Sequence, residues 1–154
     1  MIKTYIPKYE DLWFRKLILS DPETMSYNKA WGGIIDFPES KWDRWYKNWI
    51  IDTAGKRYYR YLTDENNKFV GEIAYYFEEN KKIYLASIII FSKYRGKGYG
   101  RSGLKLLCQK AKNNGLRELY DDLATNNSAI KLFTELGFKE EYRNKDIIML
   151  KKIL

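Results

Sequence analysis

Histidine is absent from the 154-residue chain, and cysteine occurs once, at Cys108. A single thiol excludes an intrachain disulfide, and without imidazole the usual zinc sites and the serine or cysteine hydrolase triads are excluded as well. A carboxylate-bound magnesium ion is the one metal site left open, and we expect no metal. Any proton transfer must therefore use a carboxyl group, a tyrosine, a lysine or water.

Long apolar stretches are also missing. The first residues, MIKTYIPKYEDLW, contain no apolar run of signal-peptide length, and the longest run, SIIIF flanked by YLA, is too short to cross a bilayer. We therefore expect a cytoplasmic protein without a membrane partner. Because there is no internal repeat, low-complexity tract or linker, residues 1–154 are predicted to form a single domain.

Apolar and basic residues are abundant. The chain is 45% hydrophobic and 17% aromatic, which is enough for one core and argues against disorder. The net charge is +8, and residues 93–117 hold eight cations and no acid, so charges balance outside this segment. A single basic focus fits a compact polyanion at least as well as a nucleic-acid duplex. We expect no nucleic-acid partner, and a nucleic-acid-binding module remains the less favoured alternative.

The apolar periodicity predicts an antiparallel β-meander followed by the order β–loop–α–β–α–β. Helices are predicted before the meander and after the glycine-rich stretch, and a further helix ends at Gly137, which can adopt the left-handed conformation. Strands are predicted at TYIP, KRYYRYLT, KFVGEIAYYFEE, NKKIYLASIIIF, RELYDDLA, FKEEYR and DIIMLKKIL. The predicted fold class is α/β, with one mixed sheet flanked by helices.

The stretch SKYRGKGYGRSG places Gly96, Gly98 and Gly100 between a predicted buried strand and a helix. Glycines at this position let backbone N–H groups converge on one point, and the helix N-terminus adds a positive dipole. The pattern predicts a phosphate site, with a flexible basic loop as the alternative. The spacing fits neither the Walker motif nor the dinucleotide fingerprint.

Two motifs resemble those of the GNAT superfamily of acyl-CoA N-acyltransferases. Arg95-x-x-Gly98-x-Gly100 is similar to that family's Gln/Arg-x-x-Gly-x-Gly/Ala pyrophosphate loop. The later stretch NNSAIKLFTELGF is similar to its Asn-x-x-Ala-x-x-Leu-Tyr-x-x-x-Gly-Phe motif, through Asn126, Ala129, Leu132, Gly137 and Phe138. The motifs stand in the family's order and at its usual separation, and the resemblance covers about residues 69–138.

The resemblance implies an N-acetyltransferase with a splayed sheet, in which the strand ending at Phe91 and the strand LYDDLA part to form a cleft for acetyl-CoA. It also implies that a primary amine of a small molecule or peptide attacks the thioester directly, in a ternary complex. The positions that it assigns to coenzyme A are Ile88, Ile89 and Ile90 through their backbone, Arg95, Gly96, Lys97, Gly98, Tyr99, Gly100 and Arg101 at the pyrophosphate, and Asn126 and Phe133.

At Phe133 the chain departs from the family's motif, which usually has a tyrosine thought to protonate the departing thiolate. A phenyl ring has no proton to give. Releasing a thiol of pKa near 8.5 as thiolate at neutral pH forgoes only about 2 kcal/mol of proton-transfer advantage, so activity is still expected. Water, another tyrosine or the attacking amine could supply the proton, and the alternative is a catalytically silent coenzyme A-binding protein.

Candidates for the base that takes the amine's proton are Glu72, Tyr84, Asp121 and Asp122, acting directly or through water. Because neighbouring residues of a strand point to opposite faces, we expect at most one of the two aspartates to face the cleft. A solvated acid at the end of a strand is the alternative for each of them.

Candidates for the acceptor pocket are Tyr27, Trp31 and Asp36, since aromatic residues in loops are poorly explained by core packing. Aromatic rings near an acid suit an organic cation. A helical aromatic stripe, formed by Trp42, Trp45, Tyr46 and Trp49, is expected to pack on the sheet. Tyrosine-rich strands are compatible with a homodimer.

Overall fold

The computed structural model describes all 154 residues and forms one seven-stranded mixed sheet with helices on both faces. The strands are β1 (Lys3–Tyr5), β2 (Arg57–Thr63), β3 (Phe69–Glu78), β4 (Ile83–Ile90), β5 (Glu118–Ala124), β6 (Lys139–Arg143) and β7 (Ile147–Ile153). The helices are α1 (Leu12–Ser20), α2 (Trp42–Tyr46), α3 (Tyr99–Asn113) and α4 (Ile130–Glu135), joined by short 3-10 segments and one π-turn. The predicted fold class and the predicted strands are confirmed.

The sheet order is β1-β2-β3-β4-β5-β7-β6, and β4 and β5 are the one parallel pair. The two strands are registered at a single pair, Leu85 opposite Tyr120. Beyond that pair they part toward their carboxyl ends, because no further backbone partners hold them together. The sheet is therefore splayed, as the resemblance implied, and the parting begins near Ala86 and Asp121.

Two apolar clusters cover the two faces of the sheet. The larger has 17 buried residues and lies between the sheet and helices α3 and α4, with Leu104, Leu107, Leu119 and Leu123 among its members. The smaller has 11 buried residues and lies between the sheet and the α1 and α2 region. Because strand residues alternate between faces, each residue of β4 and β5 is assigned to one side of the sheet by its position.

The aromatic stripe on α2 and the turn after it packs on the sheet, as predicted. Trp42 is buried, and the ring of Trp45 lies 4.7 Å from that of Tyr59 in an edge-to-face arrangement. Trp49 contacts the rings of both Trp45 and Tyr76. The stripe therefore covers the face of the sheet that carries Tyr59 and Tyr76.

A buried ion pair crosses the smaller cluster. The Arg15 guanidinium donates from Nη1 to both carboxylate oxygens of Glu72, at 2.8 and 3.1 Å, and the Tyr59 hydroxyl donates to the same carboxylate at 2.7 Å. The Arg15 side chain is 16% exposed and that of Glu72 only 3%. Burial opposes the charge on Arg15, but Glu72 outweighs it and holds the pKa of Arg15 above its ordinary value.

Candidate active site

A cleft of about 1010 Å³ opens where β4 and β5 part. Its floor is the carboxyl half of β4, its far wall is the end of β5 with the start of α4, and its mouth is the glycine-rich loop before α3. The sequence-predicted residues that line it are Tyr27, Trp31, Ile88, Ile89, Ile90, Arg95, Gly96, Gly98, Tyr99, Gly100, Asp121, Asp122, Asn126 and Phe133. The structure thus gathers most of the predicted site into one cavity.

The glycine-rich loop forms a cradle of free backbone donors. Gly96 and Gly98 have φ angles of 79° and 81°, in the region that favours glycine, and a Cβ added at either would meet no atom within 4 Å. None of the backbone N–H groups of residues 96–101 donates to a backbone carbonyl. Six consecutive free donors at the N-terminus of a 15-residue helix are an arrangement suited to phosphate oxygens.

The cations around this cradle have more than one task. The Arg95 guanidinium donates to the carbonyl oxygens of Glu23 and Thr24, at 3.1 and 2.7 Å, so it ties the loop to the turn after α1. Arg101 is paired with Glu135 on α4. Neither Arg101 nor Lys97 lines the cleft, although both add positive charge beside it. The hydrogen-bond donors left free at the mouth of the cleft therefore belong to the backbone more than to these side chains.

A second anchor of the loop was missed by sequence reasoning. The Asp21 carboxylate accepts hydrogen bonds from the Thr24 hydroxyl and, at 2.7 Å, from the Ser92 hydroxyl, while the Ser92 N–H donates to the Thr24 hydroxyl at 2.9 Å. The hydrogen bonds from Thr24 and then Ser92 lower the pKa of Asp21. The sequence shows here only an aspartate followed by Pro22, which says nothing about a partner 71 residues away.

We expect Asp21→Ala to lower the free energy of unfolding by about 1 kcal/mol and to weaken binding of coenzyme A about fivefold, because the loop loses its anchor. The folded protein lowers the pKa of Asp21, so the stabilisation is present above the ordinary pKa of about 3.9 and is lost as the pH falls toward the folded-state value. Denaturant melts of both proteins at neutral pH and at about pH 3 test this. An equal difference at both pH values would contradict it.

Two carboxyl groups lie at the vertex of the cleft, where β4 and β5 come together. Asp121 and Asp122 both line the cleft, which contradicts the expectation that at most one of them would. The alternation along β5 holds, but the missing neighbour strand opens the sheet at this point, so the cavity reaches both faces. Asp121 lies on the face of Leu119 and Leu123, toward α3 and α4, and Asp122 lies on the opposite face.

The environments of the two aspartates differ. Asp121 is 7% exposed, whereas Asp122 is half-buried. Burial, followed by the neighbouring Asp122 carboxylate, raises the pKa of Asp121 well above its ordinary value, and a backbone hydrogen bond from Asp122 opposes this only in part. Asp121 therefore keeps its proton to a higher pH than an exposed aspartate does.

Three other predicted residues lie elsewhere. Glu72 is held in the buried pair with Arg15, Tyr84 donates a long hydrogen bond to the Gly55 carbonyl at the opposite end of β4, and Asp36 is exposed in the loop before α2. None of the three lines the cleft. The structure brings only the two β5 aspartates, among the proposed bases, to the place where strands part.

The open side of the cleft is aromatic. Tyr27 and the half-exposed Trp31, from the 3-10 segment after α1, face Tyr76 of β3 across it. Burial, with added repulsion from the carboxylates of Glu72 and Asp121, raises the pKa of Tyr27 above its ordinary value. Burial and then Asp122 raise that of Tyr76. These hydroxyls are therefore neutral donors and poor acids.

Phe133 reaches the cleft from α4 and is 1% exposed, with its ring 4.9 Å from that of Phe138. Its position in the cleft lining agrees with the helix motif, and its side chain offers no proton.

Neither a metal site nor a membrane-spanning helix is found in the structure. No three His, Cys, Asp or Glu side chains lie close enough together to hold a metal ion. No helix has the length and apolar character needed to span a bilayer.

Comparisons with known proteins agree with this geometry. The model of the Acetyltransferase (GNAT) family matches residues 18–138. An uncharacterized N-acetyltransferase of Bacillus subtilis, YycN, is 38% identical over 65 residues, which are 42% of this chain and 39% of that protein, so the match spans well under half of the curated relative.

Solved structures are similar over nearly the whole chain. A spermidine N-acetyltransferase from Vibrio cholerae, in complex with CoA and spermine, has a TM-score of 0.80 at 21% identity and covers 99% of this chain and 95% of its own. An N-acetyltransferase from Staphylococcus aureus Mu50 has a TM-score of 0.77 at 20% identity, with 99% and 98% covered. At this identity the likeness shows the fold.

Proposed function

The chain belongs to the Acetyltransferase (GNAT) family, and on that premise we propose that it transfers the acetyl group of acetyl-CoA to a primary amine of a small molecule or peptide. The observation that carries the proposal is the single cleft with free backbone donors at its mouth and two carboxyl groups at its vertex. The same cavity therefore offers hydrogen-bond donors for a polyanionic acetyl donor and a carboxyl group that can accept the proton of an amine.

The residues present fit coenzyme A. The free N–H groups of residues 96–101 suit its pyrophosphate, the parted edge of β4 near Ile88 suits the amides of its pantetheine arm, and Asn126 lies at the mouth of the cleft. From Ile90 back to Ala86, β4 extends about 13 Å, so the cleft has length for a linear arm between cradle and vertex. Acetyl-CoA supplies the acetyl group as an activated thioester.

An alkylammonium ion with a pKa near 10.4 has no free lone pair at neutral pH, so the acceptor must lose a proton before it attacks. Asp122 is the cleft carboxyl on the same face of the sheet as Tyr76, and it is the better solvated of the two aspartates. We assign it the tasks of attracting the ammonium group and accepting its proton. The rings of Tyr27, Trp31 and Tyr76 add cation–π and apolar contact for the organic part of the acceptor.

Binding of acetyl-CoA is expected to raise the free energy of unfolding by about 2.7 kcal/mol at a concentration one hundred times its dissociation constant. Thermal unfolding with and without acetyl-CoA measures this, with double-stranded DNA of equal phosphate concentration as the control for unspecific polyanion binding. No shift at millimolar acetyl-CoA would contradict the proposal. A larger shift with DNA would favour the nucleic-acid alternative.

Turnover separates the enzyme from a silent coenzyme A-binding protein, the alternative that Phe133 raises. Thiol release from acetyl-CoA should be measured against polyamines, aminoglycosides, amino acids, aromatic monoamines and peptides. Only two carboxyl groups line the cleft, and one keeps its proton readily, so we expect a monocationic amine with an aromatic or apolar group to be preferred over a polyamine. Binding without release for every amine would favour the silent protein.

A further inference from the structure

The proposed reaction needs a proton at two places. The ammonium nitrogen loses one proton to become the free amine that attacks and a second one as it becomes an amide, and the sulfur gains one when the thioester carbon–sulfur bond breaks. The helix motif of this chain contains no tyrosine that could protonate the sulfur, because its place is taken by Phe133, which has no dissociable proton. The cleft must therefore hold another donor if thiol release is assisted.

The position of the sulfur follows from the two ends of the cleft. The phosphate cradle lies at the carboxyl end of β4, and the strands meet at the pair Leu85–Tyr120, next to the lining residues Ala86 and Asp121. A linear donor held by its phosphates has its acyl end at the vertex. The side chains that could exchange protons at the vertex are those of Asp121 and Asp122, on opposite faces of the strand.

The other cleft hydroxyls are less suitable. Tyr94 and Tyr99 line the cleft beside the phosphate cradle, about 13 Å of strand away from the vertex. Tyr27 and Tyr76 lie on the open, acceptor side, and burial raises the pKa of both. The buried carboxyl of Asp121, on the side of α3 and α4, is the donor that remains.

We propose that Asp121, in its acid form, donates the proton that the departing thiolate takes, while Asp122 on the opposite face of β5 accepts the proton that the amine releases. The inference rests on the proposed function. The amine nitrogen forms a bond to the carbonyl carbon, the carbon–sulfur bond breaks with its electron pair going to sulfur, and the sulfur takes the Asp121 proton. Asp122 passes the first nitrogen proton to water before the attack and takes the second as the amide forms. This second proton then moves through water to the Asp121 carboxylate, so the enzyme is unchanged and one proton goes to the solvent.

The groups that face Asp121 support this division. Its neighbour across β7 is Leu150, and β4 meets β5 one residue earlier, at the pair Leu85–Tyr120. The buried cluster on its face of the sheet contains no charged residue, and its polar groups are the Cys108 thiol and the hydroxyls of Tyr58 and Tyr75. The titratable groups that act on it are Asp122 on its own strand, Tyr27 and Tyr76. None of these is a cation, and only a backbone hydrogen bond from Asp122 favours the ionised form. Two adjacent carboxyl groups with such different environments are suited to act as acid and base.

The test is Asp121→Asn, with Asp52→Asn, an exposed aspartate outside the cleft, as the control for the same replacement away from the site. A thiol of pKa near 8.5 that leaves unassisted at pH 7 costs about 30-fold, so we expect kcat to fall about 30-fold and KM for acetyl-CoA to stay the same. The ratio of wild-type to variant kcat should decrease as the pH rises, because the wild type loses its acid while the variant has none. A constant ratio would point to a merely structural role and overturn the inference.

A rescue and a measurement without turnover complete the test. Phe133→Tyr in the Asp121→Asn background supplies a hydroxyl from α4 and should recover at least part of the lost kcat. In the free protein, the infrared band of a protonated carboxyl should be present in the wild type at neutral pH and absent from Asp121→Asn. A band that is absent from both proteins would overturn the inference.

Failure of this inference differs from failure of the proposed function. An inactive wild type against every amine overturns both. An active wild type with Asp121→Asn within about threefold of it in kcat overturns only the role of Asp121. A variant that changes KM for the amine with kcat unchanged would make Asp121 an anchor for the ammonium group instead, and would likewise overturn its role as acid.

Discussion

Arg15→Met is expected to lower the free energy of unfolding by about 3–5 kcal/mol, which is the typical cost of removing one partner from a buried ion pair. The substitution keeps much of the apolar length of the side chain but leaves the Glu72 carboxylate, with 3% of its side chain exposed, with only the Tyr59 hydroxyl as partner. It also removes a guanidinium that lies 4.5 Å from the centre of the Trp45 ring. Urea unfolding followed by circular dichroism measures the loss.

The matched control is the double variant Arg15→Met/Glu72→Met. Replacing both charges with apolar side chains of similar volume is often neutral or stabilising, so the double variant should recover most of the stability that the single one loses. If the single variant lies within about 1 kcal/mol of the wild type, the pair is not the buried interaction that the structure shows. Equal losses in both variants would attribute the effect to packing on the aromatic rings.

Gly98→Asp is expected to weaken binding of acetyl-CoA at least a hundredfold. Two unit charges 4 Å apart repel by about 4 kcal/mol at the effective dielectric of a protein surface, and the new carboxylate would stand among the free donors of the phosphate cradle. Its backbone, with φ of 81°, also becomes less favourable for any residue with a side chain. Calorimetric titration of the variant with coenzyme A measures the affinity.

Gly115→Asp is the matched control, because it separates charge at the cradle from backbone strain. Gly115 has φ of 91°, an added Cβ there would meet no atom within 4 Å, and it lies after the C-terminal end of α3, outside the cleft. The two variants should lose similar stability, while only Gly98→Asp loses affinity. Similar affinity for coenzyme A in both variants would show that the glycine-rich loop is not the phosphate site.

Local patterns were sufficient for the elements and for the cradle. The alternation in KFVGEIAYYFEE and NKKIYLASIIIF located β3 and β4 to within a few residues, and Gly137 ends its helix with φ of 97° as predicted. The glycine-rich loop was equally predictable from the sequence, since spaced glycines at the start of a helix permit backbone conformations that other residues rarely adopt. Such features depend on residues that are close in the sequence, so the sequence alone is sufficient to predict them.

Pairings between distant residues were not visible. Glu72 was proposed as a base, yet Arg15, 57 residues earlier, neutralises it. The hydrogen bond between Ser92 and Asp21 spans 71 residues. The two aspartates of β5 were expected to point to opposite faces, with at most one of them at the cleft, whereas both line it where β4 parts from β5. These contacts depend on how the elements pack, which a single sequence does not record.

The parting of β4 and β5 also determines where this sheet has backbone groups without a hydrogen-bonded neighbour strand. Most sheets have unpaired strands only at their rims, and here the rim strand β6 carries charged residues, Lys139, Glu140, Glu141 and Arg143, that discourage pairing with another chain. The strand edge that is left without a backbone partner lies in the middle of the sheet instead, on the isoleucine-rich end of β4, where it lines the cleft. A thin ligand with amide groups can pair with this edge inside the cleft, while the exposed rim is charged, so the architecture places ligand binding and protection against aggregation at different strands.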